Sequence, residues 1–271
     1  MDLNFALTPG EDLPCSALAR IRQAGPVVWS DSLQGWVVSG AVELRTVLSD
    51  MARFTSAGTP VAEVFKGEGM LTNDTPLHHR IRAVWAPHVS RAAMDGQMDA
   101  LVALAADALA PALPALDAGA SVDIVPIIRH FVMQFIAHSF GVPQDRLDIF
   151  TRWSQLSADT PALGYEPGSA EQQRHEAAKV AVFALIDELV ADRKMRQAAE
   201  EQPGDLTAIM VAAEGQDGIT AKVVTDNLLN FILGALDTTE RWIGNILHRL
   251  GSDPEAQAQL RARPDRIEAF A

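Results

Sequence analysis

The stretch from Thr220 to Leu250 constrains this chain most. Between Asn227 and Leu236 apolar residues fall on nearly every face, the pattern of a helix buried all round rather than of an amphipathic surface helix. One helix over the whole stretch would be about 45 Å long at ~1.5 Å per residue, enough to cross a domain. Its middle holds residues that a helix disfavours. Gly234 costs ~1 kcal/mol against Ala, and Asp237, Thr238 and Thr239 are weak helix formers. The Thr238 hydroxyl can bond the carbonyl of Gly234, one turn back. Two readings are open here. Either a flat ligand lies against Gly234, with an acid and an alcohol handling protons beside it, or two shorter helices meet there. In the second case Asp237-Thr238-Thr239-Glu240 is a capping box.

The rest of the chain reads as mainly helical. A helix over 14–24 stops at Gly25-Pro26. Val27-Val28-Trp29 and Trp36-Val37-Val38 make a β-hairpin, which is marginal alone and needs packing or further strands. Val42, Leu44, Val47 and Leu48 mark a short helix. Residues 56–73 form an apolar loop carrying Val61, Val64 and Phe65, long enough to have a task. Thr75 and Pro76 are expected to cap and open a helix running to Trp85. On it His78 and Arg82 share a face, spaced to hold an anion or simply to meet solvent. One helix is predicted from Ser90 to Leu113, closed by Pro111 and Pro114. Others follow over 127–140, to Ser157, over 170–197, from Pro203-Gly204-Asp205 to Glu214, and over 254–261. Pro264 opens a last one, and 159–168, with Tyr165, is a connection. No linker or repeat divides residues 1–271, so a single domain is expected.

Composition removes several functions. A net charge of −13 argues against nucleic acid or an anionic membrane as the main partner. No apolar run is expected to approach a membrane span, the best being interrupted by Asp226, Asn227 and Asn230. Met1 to Phe5 has neither the basic nor the apolar part of a secretory signal. Cys15 is the only cysteine, so no internal disulfide can form. These features fit a reducing, cytoplasmic setting. Phosphate-binding and nucleophile-elbow motifs are absent, and no histidine, cysteine and carboxylate set has metal-ligand spacing, so no metal ligand is assigned.

Two stretches resemble the cytochrome P-450 family of haem-thiolate monooxygenases. Gly234-Ala235-Leu236-Asp237-Thr238-Thr239 is similar to the family's central-helix signature, with Ala235 where Gly is usual. Asp74-Thr75-Pro76 followed by His78 and Arg82 is similar to its earlier helix. Arg53-Phe54-Thr55, Phe140-Gly141-Val142-Pro143 and Pro203-Gly204-Asp205-Leu206 add weaker echoes in the family's order. The resemblance implies a P-450-like helical fold with a small N-terminal hairpin, and haem b (iron protoporphyrin IX) as cofactor.

It further implies that Asp237 and Thr238 relay protons as the catalytic pair. Gly234 and Ala235 would lie against the haem, and His78 and Arg82 would hold a propionate. Asn230 and Leu233 would touch a small, largely apolar substrate, with the 56–73 loop and the 157–170 connection. Electrons would come from a ferredoxin-type redox partner docking near Arg80, His88 and Arg91. The family's Glu-x-x-Arg helix and cysteine ligand do not occur, so the fold is expected to be incomplete at its C-terminus and the chain inactive alone. A non-catalytic helical binding protein is the competing reading.

Overall fold

The computed structural model describes residues 15–56, 69–158, 166–201, 203–264 and 267. They fall into two compact units, residues 1–57 and 58–271. In the first, helix α1 (Cys15–Ala24) buries Ala17 and Ile21 and ends at Gly25, whose φ of +147° suits glycine. Strands β1 (Val27–Ser30) and β2 (Gly35–Val38) pair antiparallel with Trp29 opposite Trp36. The two indoles meet edge to face at 5.4 Å, an aromatic cross-strand pair that helps hold the register. Helix α2 (Ala41–Ser49) follows. Trp36 stays 67% exposed, so the hairpin's need for a covering partner is visible in its surface.

The second unit opens, among the described residues, with a 3₁₀ turn at Met70–Thr72 and helix α3 (Leu77–Trp85). Thr75 does not cap α3. The residue ahead of the helix is Pro76, in the αR region and with no side-chain cap bond, and the Thr75–Pro76 peptide is cis. The helix predicted over 90–113 is instead three pieces. These are α4 (Arg91–Asp95), capped by Ser90, then α5 (Met98–Leu109) and, past a 3₁₀ turn, α6 (Leu113–Asp117). Pro111 and Pro114 do not close a helix. Each sits in the first turn of a new segment, where its missing N–H has no helical partner to lose.

The stretch 98–117 also corrects the expectation about apolar runs, since by length and composition it could cross a membrane. Its Val102, Leu113 and Leu116 are exposed.

Helix α7 (Val125–Phe140) ends at Gly141, whose φ of +66° is the left-handed stop that glycine tolerates. Then come α8 (Leu147–Ala158), α9 (Ala170–Ala198), α10 (Leu206–Ala212), α11 (Ala221–Gly251) and α12 (Pro254–Ala262). Helix α11 is continuous through Gly234. The reading with two helices and a capping box at Asp237 is therefore overturned, and Thr220 is the cap, accepting from the Val223 N–H.

Helix α11 packs on α7, α8 and α9, and one core joins them. Val132 and Ile136 of α7, Phe150 and Trp153 of α8, Leu185 and Ile186 of α9, and Leu228 and Ile232 of α11 are all essentially inaccessible. Val61, Val64, Phe65, Tyr165 and most of the helix placed after Pro264 lie outside the described residues.

Candidate functional site

The site is built on the second half of α11. Its first half is buried as the sequence indicates: Val223, Val224, residues 226 to 230, Ile232, Leu233 and Leu236 are all inaccessible. Polar groups inside this run are mostly satisfied. Asp226 takes Lys222 Nζ at 2.6 Å. Asn227 donates to the Val223 carbonyl at 2.7 Å and accepts the Met70 N–H at 2.7 Å, which clamps the 3₁₀ turn onto the helix. Burial then lapses on one face. Gly234 is exposed, and a Cβ added there would meet nothing within 4 Å.

One turn on, the Thr238 hydroxyl donates to the Gly234 carbonyl, the back-bond that the sequence suggested. Asp237 is not embedded in an apolar surround. Its side chain is 42% exposed and its Oδ1 accepts from Arg241 Nε at 3.0 Å. The physical reason is helical phase. Asp237 and Thr238 share the Gly234 face, which no described element covers, while Leu233 and Leu236 turn into the core. Ala235 is half-buried against that core.

Helix α3 supplies the second group. Ile81 and Trp85 are buried, and Trp85 stacks on Phe231 of α11 with ring centroids 4.1 Å apart. At about 100° per residue, His78 and Arg82 occupy the stripe beside that buried one. His78 is half-buried. Burial, then the charges of His79 and Arg82, lower its pKa from the usual value, with Asp74 opposing. Arg82 is exposed, with no hydrogen-bond or ion-pair partner among the described residues. An imidazole reluctant to carry charge beside an unneutralised guanidinium is a setting that a carboxylate would relieve.

Arg80, exposed on the same helix, donates from Nη1 to the Asp217 carbonyl at 2.9 Å. It holds the turn ahead of α11.

Sequence reasoning missed three participants. Arg241 stands four residues after Asp237, so that ion pair was legible from spacing. The Arg129–Glu240 pair joins positions 111 apart and left no local signal. Gly69 lies against the Asn230 carboxamide so closely that a Cβ there would overlap it, again a long-range fact. No group of three or more histidines, cysteines and carboxylates among the described residues could hold a metal ion.

A long central helix thus carries an exposed Gly, an acid and a back-bonded alcohol, and an earlier helix carries a His–Arg pair. The cytochrome P450 profile matches residues 36–269, and the chain belongs to that family. It is similar to the mycinamicin IV hydroxylase/epoxidase of Micromonospora griseorubida, 26% identical over 244 residues covering 86% of this chain and 57% of that protein. The erythromycin C-12 hydroxylase of Saccharopolyspora erythraea is 28% identical over 267 residues, covering 93% of this chain and 62% of the relative. The crystal structure of CYP109E1 from Bacillus megaterium with testosterone superposes with a TM-score of 0.78 at 20% identity, over 94% of this chain and 64% of the other. The fold is thus the P450 helical fold with a small two-stranded sheet. The chain spans about three-fifths of the length of these two curated relatives.

Proposed function

We propose that residues 1–271 form part of one P450-like domain of a cytoplasmic haem monooxygenase that inserts an oxygen atom into a small, largely apolar molecule. The observation that carries this is the bare, exposed Gly234 one turn ahead of Asp237 and Thr238 in an uninterrupted helix. The residues fit haem b: Gly234, with the half-buried Ala235 beside it, offers near-naked backbone to a flat group, and His78 with Arg82, unpaired among the described residues, would take a propionate. Bound haem supplies the redox chemistry that activates dioxygen.

The chain's own side chains do the rest. Thr238, anchored to the Gly234 carbonyl, presents its hydroxyl oxygen as an acceptor toward the open face. Asp237 can exchange its Arg241 partner for water and pass a proton inward to that hydroxyl. Asn230 faces the substrate on the turn before, with Leu233 behind it in the core and electrons arriving from a ferredoxin-type partner.

The test is haem uptake and the reduced carbon-monoxide difference spectrum of the complete protein. Arg82→Gln and His78→Gln are each expected to weaken haem uptake about tenfold, the worth of one charge-assisted contact. Undiminished uptake in the double variant overturns the propionate assignment, and no haem-thiolate band in the complete wild-type protein overturns the function.

A further inference from the structure

Asn230 is a polar residue in the wrong place for a structural one. It is 8% exposed, and neither its Oδ1 nor its Nδ2 has a hydrogen-bond partner among the described residues. The contrast with Asn227, three residues earlier on the same side of α11, is direct, since that amide both donates and accepts. The carbonyl of Gly69, the residue packed against Asn230, is already occupied. Gly69 packs on the carboxamide with no room for a Cβ, and its carbonyl already accepts the Thr72 N–H and hydroxyl at 3.2 Å each and Asn73 Nδ2 at 2.9 Å.

Leaving a buried carboxamide unmatched costs free energy, whereas a leucine of the same branching would cost none. A site that keeps such a group in an otherwise apolar run has a use for it. Asn230 also lies one turn, or about 6 Å of helix rise, before Gly234, on the stripe that continues to Asp237.

We propose that Asn230 is a specificity-determining residue that hydrogen-bonds a carbonyl or hydroxyl group of the substrate. The substrate is then a largely apolar molecule with one such group, carried near the carbon to be oxidised rather than at its far end. A carbonyl takes the Nδ2–H, and a hydroxyl can both accept from Nδ2 and donate to Oδ1. This rests on the monooxygenase reading above and adds the chemical class of what is bound.

The experiment uses the complete, haem-loaded protein and three probes of one shape: tetralin, 1-tetralone and 1-tetralol, titrated calorimetrically. The ratio of affinities, ketone or alcohol over tetralin, is expected to fall about fivefold to tenfold in Asn230→Leu, the worth of one hydrogen bond. Asn230→Ala, which adds no bulk, should lose the ratio equally. A ratio unchanged in both variants, or no binding of either polar probe to the wild type, overturns the proposal.

A second readout needs no ligand. Because the amide is unmatched, Asn230→Leu should leave the melting temperature of the ligand-free protein unchanged or raise it by roughly 2–4 °C. A fall in both Asn230→Leu and Asn230→Ala would show an internal partner and overturn the proposal. Protein that loads haem and shows the carbon-monoxide band yet keeps its probe ratio loses this inference alone. Protein that never loads haem loses the underlying reading and this inference together.

Discussion

Arg129 of α7 grips Glu240 of α11 through two parallel bonds, Nε to Oε2 at 3.0 Å and Nη2 to Oε1 at 2.8 Å. Glu240 stands three residues after Asp237, so this fork fixes the rotation of α11 relative to α7 at the turn where the acid sits. The hydrogen bond and charge of Glu240, with Asp237 adding at longer range, raise the Arg129 pKa above its usual value, although burial opposes. The two side chains are 39% and 21% exposed, which keeps the pair's worth modest. A double-mutant cycle with Arg129→Gln and Glu240→Gln should give a coupling of about 1 kcal/mol at low salt, shrinking at 1 M salt. Additive single effects in urea unfolding would remove the positioning role.

The tightest polar knot lies away from the site. Arg193 of α9, almost fully buried, bonds Asp205 Oδ2 through Nε and Nη2 at 2.9 Å each and reaches the Gly141 carbonyl at 3.1 Å. Asp205 also caps α10 by accepting the Ala208 N–H at 2.9 Å. A Cβ on Gly141 would overlap the Arg193 guanidinium and lie 2.6 Å from Asp205 Oδ2. Arg193→Met should destabilise by about 3 kcal/mol, because it strands a carboxylate that is only 12% exposed. Gly141→Ala should cost at least about 1 kcal/mol, combining left-handed strain with the clash. Chemical denaturation measures both, and a neutral Gly141→Ala would mean that the α7 stop relaxes freely.

Acid should destabilise the fold through two histidines. The His78 pKa is lowered chiefly by burial, and that of His175 likewise. Such groups bind a proton less readily in the fold than in the unfolded chain. Their effect is therefore absent above the unfolded pKa near ~6.5 and grows as pH falls through the lower folded values. Melting temperature should decline below about pH 6.5, and less steeply in the double variant His78→Gln/His175→Gln. Superimposable pH profiles for the two proteins would refute this.

In the complete protein, Asp237→Asn and Thr238→Ala should each slow product formation by about 10²-fold, within the range of a lost proton-transfer group. Reducing equivalents should appear as peroxide instead, with haem uptake unaltered. Normal coupling in both variants would remove the relay.

Much of this protein was decided by sequence alone. The period and length of 220–250, the stops at Gly25-Pro26 and Gly141, and the Thr238-to-Gly234 bond are local matters, set by side-chain spacing and backbone allowance. The family signature, too, is a run of adjacent residues. Only the tertiary structure decided the rest. Whether Gly234 breaks α11 depended on packing from α7, α8 and α9, which outweighs a helix-propensity penalty of ~1 kcal/mol. Whether Asp237 is buried depended on which face those helices leave open. Which of two nearby asparagines is satisfied was settled by Gly69 and Met70, more than 150 residues away. Helical phase can be counted along a chain, but a neighbour that arrives from a distant segment leaves no mark on the residues it will cover.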